Sequence, residues 1–309
     1  MPNLFWKSGT GETINVVETG FGTEDALEEY IQEHPEVLGE LFIIARQTRS
    51  ATRRDQPDLI AVDADGQVVI IELKKDTATE DAIPQVLRYA IWAETNPDSI
   101  KAIWLEAEDR PEDLEINFDA LRIKIMIIAP SIAANVLRLV NRITYDVELV
   151  EIARFAVRDS EFVLITQREP AAIEGIRTTV TRQKWDEDFY RKEHHPKSVD
   201  GFMRAVRASE RLIKQKEWHL ETKFNKWYVG FKHGFPNVFA VAWLGSRSYA
   251  LWFKVPKEVA EAARIEGYPM LRYQTEFKQA LYKIGSSTDI LKFLPLIEKA
   301  YENITGLKA

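Results

Sequence analysis

The chain has 309 residues, no cysteine, and 41 Lys plus Arg against 48 Asp plus Glu, a net charge of −7. That length calls for two domains, each able to bury a core without staples, and the lack of cysteine excludes disulfides and thiolate metal sites and suits a reducing cytoplasm. With no basic-then-apolar leader and no apolar run near the roughly eighteen residues of a membrane helix, the expectation is a cytoplasmic protein with no membrane partner.

In chain order, Thr23 to His34 opens with a capping Thr and an acidic first turn, then shows Leu27, Tyr30 and Ile31 at helical spacing before Pro35. Leu41 to Ala45 is a short apolar strand, followed by a basic loop holding Arg46, Arg49, Arg53 and Arg54. Leu59 to Val62 and Gln67 to Leu73 are strands around Ala64-Asp65-Gly66. Glu80 to Glu94 is a helix, with Ile83, Val86, Leu87, Ala90 and Ile91 on one face. The pattern then predicts a strand at Lys101 to Glu106, a helical piece at Pro111 to Leu121, a strand at Ile123 to Ala129 and a helix at Ser131 to Arg142. Strands follow at Tyr145 to Val157 and Glu161 to Thr166. Alternation of this kind describes a sheet flanked by helices.

Around Gln167 to Arg182 the pattern lapses into polar residues with Pro170 and Gly175, and the domain boundary is placed there, giving domains of 1–170 and 171–309. Beyond it a basic helix at Ser198 to Gln215 precedes strands at Trp227 to Phe231, Val238 to Leu244 and Tyr249 to Val255, then helices near 257–266 and 288–303. From Arg177 to Lys232 there are 14 Lys plus Arg against 8 Asp plus Glu, a local +6, so the remainder carries −13. Arg204, Arg207 and Arg211 recur at helical spacing, either as a stripe that grips phosphates or as a solvated face.

The stretch PDLIAVDADGQVVIIELKK, Pro57 to Lys75, carries the chemistry. If Ala64, Asp65 and Gly66 form a three-residue loop with Gly66 left-handed, Asp63 and Gln67 close the ladder and Asp58 falls opposite Glu72. Opposed residues share a face with Cβ atoms roughly 4.5–5.5 Å apart. A slip of one register would separate the acids. Two carboxylates so placed repel unless a cation lies between them, and Lys74 joins Glu72 on its face. Asp58, Glu72 and the Leu73 carbonyl make an oxygen donor set suited to Mg²⁺ or Mn²⁺, and Lys74 can orient a water or offset charge on a phosphate. The competing reading is a strand end with solvated charges.

These residues resemble the active-site hairpin of the PD-(D/E)xK nuclease superfamily, with Asp58 as first acid and Glu72-Leu73-Lys74 as the ExK triplet. ATEDAIPQVLRYAIWA, Ala78 to Ala93, resembles the helix that follows this hairpin in the NucS/EndoMS type of endonuclease, where a Gln and a Tyr four residues on, here Gln85 and Tyr89, face the site. TEDALEEYIQEHPEVLG resembles the family's first helix, with Glu24 and Leu27 in its E-x-x-L pattern and Glu28 in reserve. The resemblance covers roughly residues 20 to 130, about a third of the chain. It implies an α/β fold, a restriction-endonuclease-like mixed sheet flanked by helices, followed here by a smaller α+β domain. It also implies a Mg²⁺- or Mn²⁺-dependent endonuclease cutting DNA, in repair or in defence against foreign DNA. The metal would be held by Asp58, Glu72 and Leu73, with Lys74, Glu24, Gln85 and Tyr89 completing the catalytic set. Room is lacking for the separate N-terminal DNA-binding and dimerising domain of the mismatch- and branch-cleaving members. A homodimer and a protein partner for the C-terminal domain are open expectations.

Each residue has a plainer account. A Glu in a first turn is expected from the helix dipole, Tyr89 fits a buried ring with a satisfied hydroxyl, and the basic loop could either grip phosphates or be a surface loop. Glu221-Thr222-Lys223 also spells ExK but has no apolar strand leading into it. His194 and His195 read as solvated, and the aromatic-rich KFNKWYVGFKHGFPNVFAVAW reads as domain core rather than as a stacking platform for single strands. Two rival functions are a non-catalytic nucleic-acid-binding module on the same fold, and an enzyme or sensor for another phosphorylated ligand. The absence of a phosphate-cradling Gly-rich loop weighs against the latter.

Overall fold

The computed structural model describes residues 4–7, 9, 11–46, 57–111, 114–169 and 185–309. These form two compact units: 1–35, 43–108 and 115–182, and 36–42, 109–114 and 183–309. The expected boundary at Gln167 to Arg182 lies mostly outside the described residues, and a strand runs through Gln167 to Arg168.

The first unit contains strands β1 (Leu4–Lys7), β2 (Thr13–Glu18), β3 (Leu41–Arg46), β4 (Leu59–Asp63), β5 (Val68–Leu73), β6 (Ile123–Ala129), β7 (Asp146–Val157) and β8 (Ser160–Arg168). Its helices are α1 (Glu24–Glu33), α2 (Ala82–Thr95), α3 (Pro97–Glu106) and α4 (Ala134–Leu139). The sheet runs β1-β2-β7-β6-β5-β4-β3, with β8 also on β7. It is mixed: β4 and β5 are antiparallel, whereas β5, β6 and the start of β7 run parallel. A strand flanked on both edges and covered by helices must be apolar on both faces. All six residues of β5, VVIIEL, are buried, Glu72 among them.

The hairpin turn follows its expected chemistry. Gly66 is left-handed at φ 75°, its N–H donates to the Asp63 carbonyl (2.9 Å), and the Asp63 carboxylate accepts from the amides of Asp65 (3.0 Å) and Gln67 (2.9 Å). The pairs Leu59↔Ile71 and Val62↔Val68 set the register in which Asp58 meets Glu72. Helix α1 is capped by Thr23, whose hydroxyl accepts from the Ala26 amide at 3.1 Å. Helix α2 tolerates Pro84 because it lies in the first turn, where amides lack intrahelical partners.

Several local readings are corrected. Lys101 to Glu106 is the end of helix α3, not a strand. Pro97 and Asp98 open it, and Ile100, Ile103 and Trp104 turn inward at helical spacing while Leu105 is exposed. In place of a helix at Pro111 to Leu121, the described residues hold one 3₁₀ turn at Phe118–Ala120, capped by the Asn117 side chain. The hairpin of β1 and β2 was not foreseen, because most of its side chains are exposed and leave no apolar alternation to read.

The second unit contains α5 (Glu187–Glu193), α6 (Pro196–Gln215), β9 (Glu221–Phe224), β10 (Tyr228–Lys232), β11 (Asn237–Trp243), β12 (Tyr249–Lys254), α7 (Lys257–Ala262), β13 (Arg272–Gln274), β14 (Gln279–Ile284) and α8 (Leu294–Thr305). Its sheet is antiparallel, ordered β13-β14-β12-β11-β10-β9. The aromatic stretch is core: Phe231 stacks on Phe239 at 4.5 Å and both are fully buried. No helix among the described residues is long and apolar enough to cross a membrane.

Gly66 has a second constraint, since a Cβ there would lie 2.2 Å from the Glu115 carbonyl oxygen. Gly66→Ala is therefore expected to destabilise the first unit by about 2 kcal/mol or more, from left-handed strain plus the clash. Urea unfolding checks it, and an unchanged midpoint contradicts it.

Candidate active site

Strand β5 ends by delivering Glu72 and Leu73 to the mouth of the hairpin, and Asp58 sits opposite, one residue before β4. The Leu73 amide donates to Asp58 Oδ2 at 2.7 Å, which orients that carboxylate. Lys74 Nζ donates to Glu72 Oε1 at 2.5 Å and to Gln85 Oε1 at 3.2 Å, and Gln85 Nε2 donates to the Tyr89 hydroxyl at 3.4 Å. The i, i+4 spacing of Gln85 and Tyr89 on α2 turns both toward the hairpin end, so Glu72, Lys74, Gln85 and Tyr89 form one hydrogen-bonded row. Glu24, first residue of α1, is near enough for its charge to act on Asp58, Glu72 and Lys74.

Burial raises the Asp58 pKa to about 6, with Glu24 and Glu28 adding to the rise and the Leu73 amide and Lys74 opposing it. Burial, then the Asp58 charge, raises Glu72 to about 7. For Lys74, burial pulls the ammonium down, but the Glu72 hydrogen bond and the nearby carboxylates outweigh it and its pKa lies above the usual lysine value. The Tyr89 hydroxyl is also held up, first by burial and then by Glu72 and Asp58.

The decisive detail is Glu72 Oε2, which is buried and accepts no hydrogen bond among the described residues. At the other end of the same hairpin, Asp63 is also raised to about 6 by burial, yet it accepts two backbone amides and lies 3.9 Å from Lys124, itself 2.8 Å from Glu148. An unpaired buried carboxylate oxygen costs roughly 1–3 kcal/mol or more, a cost that a cation at this charged mouth would relieve. A hard, oxygen-seeking divalent ion fits this set of two carboxylates. No group of three or more His, Asp or Glu side chains at metal-binding separation occurs among the described residues, so backbone and solvent oxygens would have to complete a shell.

Other expectations fare differently. Arg46 is not loose in a loop: it closes β3 and donates to Glu28 Oε1 and, at 2.8 Å, to Gln32 Oε1. Arg49, Arg53 and Arg54 lie outside the described residues. Glu28, held in reserve by the sequence, is 3% exposed on the same face of α1 as Leu27 and Ile31. The row Glu24, Glu28, Gln32 at spacing of four was the signal for it. Glu221 to Lys223 lies in the exposed edge strand β9. His194 is buried, not solvated: its ring stacks on Trp243 at 3.9 Å, and burial lowers its pKa. Of the basic stripe, Arg204 donates to the Ser286 carbonyl (2.8 Å) and Arg207 to Glu187 (2.7 Å), so two of the three guanidinia have partners on their own unit.

No family model matches the chain. A stretch of 78 residues is 40% identical to Endonuclease NucS 2 of Halobacterium salinarum, covering 25% of this chain and 31% of that protein, so the chain spans about a third of the relative's length. Among solved structures, an EndoMS complex with double-stranded DNA is 22% identical with a TM-score of 0.30, covering 43% of this chain and 46% of that one. A repair endonuclease from Pyrococcus abyssi is 24% identical with a TM-score of 0.28, covering 44% and 50%. At such scores the structural likeness carries no argument. The similarity to Endonuclease NucS 2 agrees with the family resemblance read from the sequence, over a quarter of the chain.

The Glu72 pKa gives a pH test. Its folded value of about 7 lies above the ordinary 4.5, so the folded state binds the proton more tightly than the unfolded state. The Glu72 charge therefore destabilises the metal-free fold at pH 8, and that penalty is relieved as pH falls through 7 toward 4.5. In chelator, Glu72→Gln is expected to raise stability at pH 8 by on the order of 2 kcal/mol, an advantage that fades toward pH 5. Thermal melts across that range decide it, and a lower melting temperature for the variant at pH 8 refutes the unsatisfied carboxylate.

Proposed function

We propose that the first unit is a Mg²⁺- or Mn²⁺-dependent endonuclease domain that hydrolyses phosphodiester bonds in DNA, with repair as its setting. The observation that carries this reading is the buried, unpartnered Glu72 oxygen beside Asp58 with Lys74 on its other oxygen. The similarity to Endonuclease NucS 2 supports it.

In this reading Asp58, Glu72 and the Leu73 carbonyl hold the cation. The Leu73 amide, at 2.7 Å from Asp58, already ties the donors into one rigid unit. When bound, the cation supplies positive charge against the phosphodiester and acidifies a neighbouring water. Lys74 has one N–H on Glu72 and one on Gln85, which leaves a third donor for the attacking water or for charge growing on the phosphate. Gln85 and Tyr89 act through Lys74 by fixing where that ammonium points. Glu24 adds negative charge that favours the cation. In the reaction, water oxygen bonds to phosphorus, one P–O bond breaks, and the departing oxygen ends protonated.

The second unit is assigned a supporting role, binding nucleic acid or a protein partner, and a homodimer is compatible with the first unit's activity. The partners of Arg204 and Arg207 make α6 a weaker phosphate stripe than its sequence suggests.

Melting curves with and without Mn²⁺, combined with a panel of plain, mismatched, branched and single-stranded oligonucleotides, test the reading. With the ion, the wild type should be stabilised and should cleave at least one substrate, while Asp58→Asn and Glu72→Gln lose both effects. Lys74→Met should keep the melting shift and lose about 10²–10³-fold in single-turnover rate. Wild-type cleavage by Glu72→Gln sinks the site. A melting shift without cleavage of any nucleic acid favours the non-catalytic module.

A further inference from the structure

Among the described residues, strand β8 pairs with β7 and with no other strand, in an unbroken antiparallel register from Leu149↔Arg168 to Val157↔Ser160. Its outer edge is therefore unpaired. The strand reads SEFVLITQR, nine residues with no Pro, Gly or Lys and no bulge, and its charges are Glu161 and Arg168, near the two ends. An unpaired edge carries a row of backbone N–H and C=O groups ready to bond another strand, and folds blunt it by shortening it, by Pro or Lys, or by a bulge. The edge strands β1, β9 and β13 are blunted by shortness, with three or four residues each. β8 uses none of these devices. Its middle, Phe162 to Thr166, is uncharged and strand-forming, and Phe162 and Leu164 are 40% and 56% exposed on one face.

We propose that β8 is a self-pairing edge, on which a second copy of this chain lays its own β8 antiparallel about a two-fold axis at Leu164. That axis passes through the middle of the strand, so it pairs all nine residues, from Ser160 with Arg168 to Leu164 with its own counterpart. In this register the strand complements itself: Phe162 lies against Thr166 of the second copy, Val163 against Ile165 and Glu161 against Gln167, and no charge meets its like. Moving the axis to Val163 sets Glu161 against Ile165, and moving it to Ile165 sets Phe162 against Arg168. Either shift leaves two residues of each strand unpaired. An antiparallel pair uses up both free edges, so association closes at two copies instead of continuing as a stack. The inference goes beyond the nuclease reading and stands without it.

Sedimentation velocity of the full chain tests it, with circular dichroism confirming that each variant is folded. The wild type is expected to be a dimer at about 100 μM. Leu164→Lys and Leu164→Glu each set like charges against each other at the axis and should weaken self-association by roughly a hundredfold. An equimolar mixture of the two should restore the dimer, because residue 164 faces its own counterpart only at that axis. A monomeric wild type overturns the inference, as does a dimer that both variants leave intact or a mixture that stays monomeric. If either Leu164 variant is unfolded, Gln167→Glu and Gln167→Lys decide. The first opposes Glu161 of the second copy with a like charge and should dissociate the pair, the second should hold it, and equal association of the two overturns the inference.

Discussion

A carboxylate buried on an interior strand of a sheet is the constraint around which the first unit is arranged. Glu72 occupies the fifth position of a strand whose other five residues are apolar, and the same flanking by β4 and β6 that makes VVIIEL a stable strand removes Glu72 from water. Its charge can persist only where something at the strand end answers it. Asp58 arrives opposite by hairpin register, Lys74 by strand period, and Gln85 and Tyr89 by helical period from α2. These three periodicities converge on one point because the strand ends there.

The two ends of the hairpin show how the same chemistry serves different purposes. At the turn, Asp63 is partly buried, and its oxygens accept the amides that shape the loop while Lys124 and Glu148 extend a paired cluster. That end is an electrostatic lock on the fold. At the mouth, one oxygen of Glu72 is left without a donor while its neighbour Asp58 adds repulsion, an arrangement unfavourable for an isolated fold. Perturbed acids of this kind concentrate where a cation or a substrate is received.

The second unit is held by aromatic packing on an antiparallel sheet. Trp243 lies between His194 and Phe202, stacked at 3.9 and 4.2 Å, and Tyr190 donates its hydroxyl to the Asn225 carbonyl. Its surplus of positive charge is partly engaged by its own carbonyls and carboxylates, so the count of basic residues overstates the charge available to phosphates. Together with the short reach of the NucS likeness, this separates what is known of the two units.

Much of the first unit was legible because its signals are local. The left-handed demand at Gly66 sets the turn, the turn sets the register, and the register decides that Asp58 meets Glu72; the Thr23 cap and the α2 apolar face are equally short-range. What the sequence could not settle depended on distant partners. KAIWLE serves as strand or helix until packing chooses the face of Ile100, Ile103 and Trp104. Glu28 looked like a spare acid and Arg46 like a loose base, and only the approach of β3 to α1 made them a pair. Arg204 and Arg207 likewise found partners far along the chain, in Ser286 and Glu187. Periodicity and turn geometry are written within a few residues and survive translation from sequence alone. The pairing of a charge depends on which chain segment folds beside it, and that is decided by tertiary structure.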